Sequence, residues 1–223
     1  MRMAVVAGCL AVLAGSSPSG FAALSDVDPT IGQDMRYATG RNFTGRVVEG
    51  YEEPVCLLAK QAAEALRRAQ RVLRRQGLSL VVYDCYRPQR SVDRFVRWAR
   101  DAGDQATKAE FYPEVDKSRL VALGYIAERS GHSRGSTVDV ALVRLPDRRP
   151  LDMGTPFDWF GPLSHTDAPQ IGGAARENRR LLRRVLQAEG FVNLPEEWWH
   201  FTHRPEAFGE QFDFPVALRA VRG

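Results

Sequence analysis

The stretch Ser130–Leu142, SGHSRGSTVDVAL, restricts the fold more than any other part of the chain. Its second half is short, apolar and β-branched, and a Gly-containing turn precedes it, so it reads as a buried strand running from Ser136 to Leu145 and ending near Pro146. Asp139 interrupts that strand between Val138 and Val140. An ionised carboxylate in such surroundings is costly unless a charge or a hydrogen-bond donor meets it. A metal ion is one candidate partner, and His132, on the turn before the strand, is a residue type that would share it.

The rest of the chain supplies elements to surround this strand. Apolar residues at Val55, Leu58, Ala62, Leu66, Ala69 and Leu73 predict a helix through Pro54–Gln76, stopped by Gly77. LSLVVYDCY, 78–86, reads as a second buried strand. Val92, Phe95, Val96 and Ala99 predict a helix begun after Pro88. The segment 146–169 is rich in Pro, Gly and aromatics, a long ordered loop of the kind that lines sites. ENRRLLRRVLQAEG, 177–190, predicts a third helix. EWWHFTH and QFDFPV are strand candidates. Helices and strands mix without a βαβ rhythm, without repeats and without a linker. One α+β domain over 23–223 is the expectation.

The N-terminus stands apart. One Arg, an apolar run Ala4–Ala14 and small residues up to Ala22 read as a signal peptide over 1–22. Export to the periplasm or outside the cell follows, whereas a chain whose first segment is not a functional leader stays in the cytoplasm. The run is too short to span a bilayer, so no integral membrane span is expected. The net charge of +4 comes almost wholly from Arg on helix-like stretches interleaved with acids, which describes solvated helix faces. There is no nucleic-acid motif and no aromatic-interleaved basic groove. Of three cysteines, Cys56 and Cys85 remain after cleavage. They are either a disulfide or two separate buried thiols, and neither lies in a C-x-x-C zinc motif.

Four histidines occur, at 132, 165, 200 and 203. His132, Asp139 and His200 form an N, O, N set for one Zn²⁺, three protein ligands with a position left for water. Glu197 precedes His200 by three, so the chain must turn near Pro195 for both to face one site. A carboxylate beside the metal but not bound to it can act as general base. Arg87, at the end of a buried strand, is either an oxyanion stabiliser or a structural partner of Asp84. His165 and His203 read as ordinary core or surface residues, and Trp198 and Trp199 as core and pocket wall.

Taken together, SGHSRGSTVDVAL, EWWHF and YDCYRPQRSV resemble the D-alanyl-D-alanine dipeptidases of the M15 metallopeptidase family, zinc enzymes of the vancomycin-resistance type. RYATGRNFTGRVVEGY, GTPFDWF, ENRRLLRRVLQAEGF and FDFPV extend the likeness over roughly residues 27–216. The resemblance implies a small α+β domain with a central, mainly antiparallel sheet flanked by helices, and the zinc site at that sheet. It implies His132, Asp139 and His200 as zinc ligands, Glu197 as general base and Arg87 as the transition-state arginine. It implies Asp158 as the carboxylate that meets the substrate ammonium, with Tyr37 and Asp84 as neighbours. Ser130 and Tyr51 match positions that line the site and help hold the substrate carboxylate. The implied partner is a small dipeptide, D-Ala-D-Ala, and the implied reaction its hydrolysis. A D,D- or L,D-carboxypeptidase acting on peptidoglycan stems is the alternative within enzymes. A non-catalytic zinc module that binds wall fragments is the alternative outside them. Relatives of this type are cytoplasmic, so an exported copy suggests scavenging of wall-derived dipeptide, and a Cys56–Cys85 bond would fit export. The sequence sets no oligomeric state.

Overall fold

A computed structural model describes residues 19–222. The expectations placed on residues 1–18 lie outside the described residues.

The chain opens with strand β1 (Phe21–Ala23), one helical turn α1 (Leu24–Val27) and strand β2 (Gly32–Gln33). Strand β3 (Leu57–Ala59) leads directly into helix α2 (Lys60–Arg74), followed by strand β4 (Leu78–Asp84) and helix α3 (Gln89–Arg100). A short helix α4 (Lys108–Phe111) precedes strand β5 (Thr137–Arg144). Helix α5 (Gly173–Gln187) and strands β6 (Phe191–Asn193) and β7 (His200–His203) complete the fold.

Five strands form the central sheet in the order β2-β4-β5-β7-β6. Every pairing in it is antiparallel except β2 with β4. The mainly antiparallel α+β expectation therefore holds, with β1 and β3 forming a separate two-stranded ribbon. The sheet interior is apolar: Leu80, Val82, Val138, Val140 and Leu142 are fully buried. Helix α2 lays Ala62, Leu66, Ala69 and Leu73 on that core at helical spacing. Its one buried polar residue, Gln70, is fully engaged. It donates to Ser79 Oγ at 2.8 Å and Thr30 Oγ1 at 3.0 Å and accepts from Leu80 N at 2.9 Å. That pins the helix to the start of β4.

Several boundaries differ from the sequence reading. The helix expected from Pro54 begins only at Lys60, because Leu57–Ala59 pairs with Phe21–Ala23 first. The third helix starts at Gly173, four residues before the expected Glu177. EWWHFTH is a strand only from His200. QFDFPV is not a strand. It keeps one bridge, Tyr51 to Val216, and is held by Tyr86, whose hydroxyl donates to Phe214 O at 3.0 Å and accepts from Phe214 N at 2.9 Å. Phe21 packs against Phe208, Phe212, Phe214 and Tyr86, so residue 22, the expected end of the leader, falls inside β1. Among the described residues no helix is long and apolar enough to cross a membrane.

Candidate active site

Strand pairing builds the first part of the site. Asp84 at the end of β4 pairs with Asp139 in β5, and Asp139 pairs with His200 at the start of β7. Directly opposed residues in antiparallel strands project from one face, so the sheet alone sets two carboxylates and an imidazole side by side.

His132 joins them from a 3₁₀ turn, Gly131–Arg134. Ser130 caps that turn, its Oγ accepting from His132 N at 3.2 Å. Gly135 ends it at φ +73°, and a Cβ there would lie 2.3 Å from the Phe21 ring, so both backbone and space demand glycine. The ring of His132 is fixed by Cys85 O, 2.7 Å from Nδ1. A carbonyl only accepts, so Nδ1 carries the proton and Nε2 presents a lone pair to the cluster.

His132 Nε2, Asp139 Oδ1 and His200 Nδ1 make an equilateral triangle with all three sides 3.3 Å. Edges of a tetrahedral site are about 1.6 times the metal–ligand distance. Zinc ligands at about 2.0–2.1 Å thus require edges of roughly 3.3–3.4 Å. Asp139 Oδ1 is buried and has no hydrogen-bond donor. Its neighbour His132 Nε2 has only a lone pair to offer, so the contact is repulsive unless a cation lies between them. The three residues therefore fit a divalent metal, and they are the one His/Asp/Glu/Cys group of suitable geometry among the described residues. Burial pulls His200 toward neutrality, while the anionic Asp139 and Glu197 beside it outweigh this and raise its pKa to about 9.

Glu197 reaches the same point through a compact loop between β6 and β7. Leu194 N donates to His200 O at 3.0 Å, and His200 N to Glu197 O at 3.2 Å. Asn193 stitches the loop shut, its Nδ2 donating to Glu197 O and His200 O, both at 3.0 Å. The result is the turn that the i, i+3 spacing required. Glu197 Oε2 lies 3.3 Å from His200 Nδ1.

Arg87 enters from just past β4. Its Nε donates to Asp84 Oδ2 at 2.9 Å, and Nη2 lies 2.8 Å from the same oxygen and 3.6 Å from Asp139 Oδ2. The guanidinium lies against both the Tyr37 and Phe95 rings, 5.1 Å from each centroid, on one side of that packed aromatic pair. Burial opposes its charge, but Asp84, Tyr37, Tyr51 and Asp139 hold its pKa far above even the usual arginine value. Arg87 is thus a partner of Asp84, and it also lines the cavity. Asp84 is completely buried and also accepts from Tyr51 OH at 2.6 Å. Burial raises its pKa against the pull of Arg87 and His132.

Asp158 caps the other end. Its φ of +61° is a left-handed conformation uncommon outside glycine, a strain that folds tend to place at functional sites. Both carboxylate oxygens accept from Tyr37 OH, at 3.1 and 2.9 Å. Burial and the nearby charge of Asp139 drive its pKa well above the carboxylate range, only partly offset by Tyr37 and Arg87. The loop that carries it hangs on Arg179 of α5. This arginine is buried and donates to Met153 O at 2.6 Å and His165 O at 2.7 Å. Thr155 and Ser164 link the same loop to Trp198, beside Glu197, through Trp198 Nε1 to Thr155 Oγ1 at 2.8 Å and Trp198 N to Ser164 O at 3.0 Å.

The walls enclose about 220 Å³, below the roughly 300–1,000 Å³ of drug-sized pockets, so a very small ligand is implied. His132, Asp139, His200, Glu197, Arg87, Asp158, Tyr37 and Ser130 all line it. Tyr51 and Asp84 do not. The expectation that Tyr51 lines the cavity is corrected, since its hydroxyl is spent on Asp84, and both sit behind Arg87 as its support. The pairing of Cys56 with Cys85, open in the sequence, is a disulfide. His165 and His203 stay outside the cavity, and Trp199 lines it while Trp198 braces the loop. Sequence reasoning passed over Asn193 and Arg179. The signal for Arg179 was present: it occupies an apolar-stripe position of α5 with Ala175, Leu182 and Leu186.

A buried two-histidine, one-aspartate triangle with a free carboxylate alongside and a guanidinium behind is the layout of a single-metal hydrolase. The profile of the M15 peptidase family described as D-Ala-D-Ala dipeptidase matches residues 17–217. D-alanyl-D-alanine dipeptidases of Enterococcus faecalis and Streptomyces coelicolor are 39% and 41% identical to the chain, covering 89% and 88% of it and 99% and 98% of themselves. That of Enterococcus faecium is 38% identical over 88% of this chain and 98% of its own. A zinc-bound vancomycin-resistance D,D-pentapeptidase mutant overlaps more loosely, with a TM-score of 0.40 and 15% identity over 70% of this chain and 77% of that one. The chain belongs to the D-Ala-D-Ala dipeptidase family of M15 peptidases.

Proposed function

We propose that the chain hydrolyses free D-Ala-D-Ala with one zinc ion held by His132 Nε2, Asp139 Oδ1 and His200 Nδ1. The observation that carries this is the 3.3 Å triangle around an Asp139 oxygen with no hydrogen-bond donor. Zinc bound there supplies Lewis acidity toward water and the scissile carbonyl. Glu197 takes the proton of the attacking water and later passes it to the leaving amine. Arg87, held rigid by Asp84 and two aromatic rings, meets the developing oxyanion with charge that needs no reorganisation. Asp158, steadied by Tyr37, receives the substrate ammonium and closes that end of the cavity. A longer peptide has an amide where the ammonium should be, which leaves Asp158 without its cation.

The test is release of D-alanine from D-Ala-D-Ala, before and after chelation and zinc add-back, beside D-Ala-D-Ala-D-Ala and N-acetyl-D-Ala-D-Ala. Chelator-sensitive turnover that strongly favours the free dipeptide is expected. Comparable turnover of the longer peptides would favour a carboxypeptidase, and zinc binding without turnover would favour a wall-fragment binding module.

We further propose that the protein is exported and acts on dipeptide released from cell walls. The Cys56–Cys85 disulfide supports an oxidising compartment. Because Phe21 belongs to a buried aromatic cluster, the N-terminal sequence of the secreted protein is the direct check. Recovery of the active protein only from the cytoplasm, with both thiols free, would refute export.

A further inference from the structure

The Cys56–Cys85 disulfide has no part in the chemistry above, yet it abuts the metal centre. Both cysteines are completely buried, and their Cα atoms are 5.3 Å apart. Cys85 lies past the end of the β4–β5 ladder, which already slips register between Val82 and Asp84. Its carbonyl is the acceptor that fixes His132 Nδ1 at 2.7 Å. Cys56 is itself well anchored, donating through its N to Gln33 Oε1 at 2.8 Å and accepting from Leu24 N at 2.9 Å. The next peptide on each side is also tied, Tyr86 N to Leu57 O at 2.9 Å. The disulfide thus fastens the residue that orients His132 to a rigid anchor 29 residues earlier in the chain.

The imidazole has a competing acceptor. Asp84 Oδ2 lies 3.4 Å from His132 Nδ1, already engaged by Arg87. A small shift of the Cys85 carbonyl would let the Nδ1–H hydrogen bond switch to Asp84, rotating His132 Nε2 out of the triangle and loosening Asp84 from Arg87. Groups that orient a metal ligand from behind typically account for 10- to 100-fold in metal affinity.

We propose that the Cys56–Cys85 disulfide is a positioning device for the metal centre: it holds the Cys85 carbonyl that sets the tautomer and orientation of His132. Opening the bond weakens metal retention beyond any general loss of stability. This rests on the reading of His132 as a metal ligand.

The experiment titrates metal-free protein with Zn²⁺ against a chromophoric chelator. The forms compared are oxidised wild type, wild type opened with a phosphine reductant, and the Cys56→Ala, Cys85→Ala double variant. Leu186→Ala, a fully buried position on α5, supplies a destabilised control with the bond intact. Opening the bond should raise the zinc dissociation constant at least about tenfold, and the control should not. In the metal-free protein the His132 Nδ1–H resonance should broaden or vanish on opening the bond, a readout that needs no zinc. Unchanged affinity and an unchanged Nδ1–H signal, with only a lower melting temperature, would make the bond a general staple and overturn the proposal. If oxidised wild type binds no zinc, the reading of the metal site fails instead. Should the alanine pair not fold, Cys56→Ala with Cys85→Val restores volume; if no bond-open form folds, the bond serves the whole fold and the local proposal is overturned.

Discussion

Asp158→Asn separates substrate recognition from stability, because the proposed ammonium contact and the burial of Asp158 have opposite effects on the two. Asp158 is buried, sits at φ +61° and has its pKa well above the usual carboxylate range, chiefly through burial and the charge of Asp139. For recognition, a buried hydrogen bond to a charged group is worth about 1.5–3 kcal/mol, which at 1.36 kcal/mol per decade is roughly 10- to 150-fold. The asparagine variant should lose that factor in kcat/KM for D-Ala-D-Ala. N-acetyl-D-Ala-D-Ala, which has no ammonium, should lose nothing, so the preference for the free dipeptide should shrink by the same factor. For stability, the unfolded chain ionises Asp158 near pH 3.9 while the folded protein keeps its proton to higher pH. Between those values the native state binds more protons than the unfolded one, so wild-type stability falls as pH rises through that window. The stability is fully present below the unfolded pKa and is lost as pH climbs through the folded one. Asparagine does not titrate, so the variant should match wild type below about pH 4 and gain on it as pH rises. Paired thermal melts from pH 4 to 8, alongside kinetics on both peptides, test this. Equal losses on the two peptides, or a melting gap that does not change with pH, would refute the reasoning.

Glu197→Gln should leave the zinc content unchanged and lower kcat about 10²- to 10⁴-fold, measured by metal analysis and D-alanine release on one preparation. Arg179→Met should strand the carbonyls of Met153 and His165, costing about 1–3 kcal/mol each in the worst case. A melting temperature lower by roughly 2–4 °C per kcal/mol is expected, with KM raised more than kcat is lowered, because Arg179 holds the loop of Asp158. An unchanged KM would detach Arg179 from the site. Gly135→Ala places a Cβ 2.3 Å from the Phe21 ring at φ +73°. Left-handed backbone costs about 1–2 kcal/mol and overpacking about 1–3 kcal/mol, so the urea midpoint should fall without change in slope.

Much of this site could be read from the chain because its parts are local. His132 and Asp139 share one turn-and-strand unit, and the i, i+3 offset of Glu197 and His200 required the loop that Asn193 closes. Helices α2, α3 and α5 carry their own apolar periodicity, and strands β4 and β5 are mainly apolar, β-branched runs of seven and eight residues. The misses share a different cause. Leu57–Ala59 runs into α2 with no glycine, proline or side-chain cap at Ala59, so nothing local separates strand from helix, and only pairing with Phe21–Ala23 decides it. Strand β2 has two residues and exists only because β4 lies beside it. The resemblance puts Tyr51 on the cavity wall, and its tie to Asp84, 33 residues away, is invisible to spacing. Arg179 stands out in the apolar stripe of α5, but the backbone carbonyls it meets have no sequence signature.

The central claim is that His132, Asp139 and His200 hold one divalent ion while Glu197 stays free beside it. Anomalous diffraction at the zinc edge on the metal-loaded protein tests it most directly. One ion per chain is predicted, bound to His132 Nε2, Asp139 Oδ1 and His200 Nδ1 at about 2.0–2.1 Å, with neither Glu197 oxygen in the coordination sphere. An ion found elsewhere, or one bound by Glu197 in place of any of the three, would contradict it.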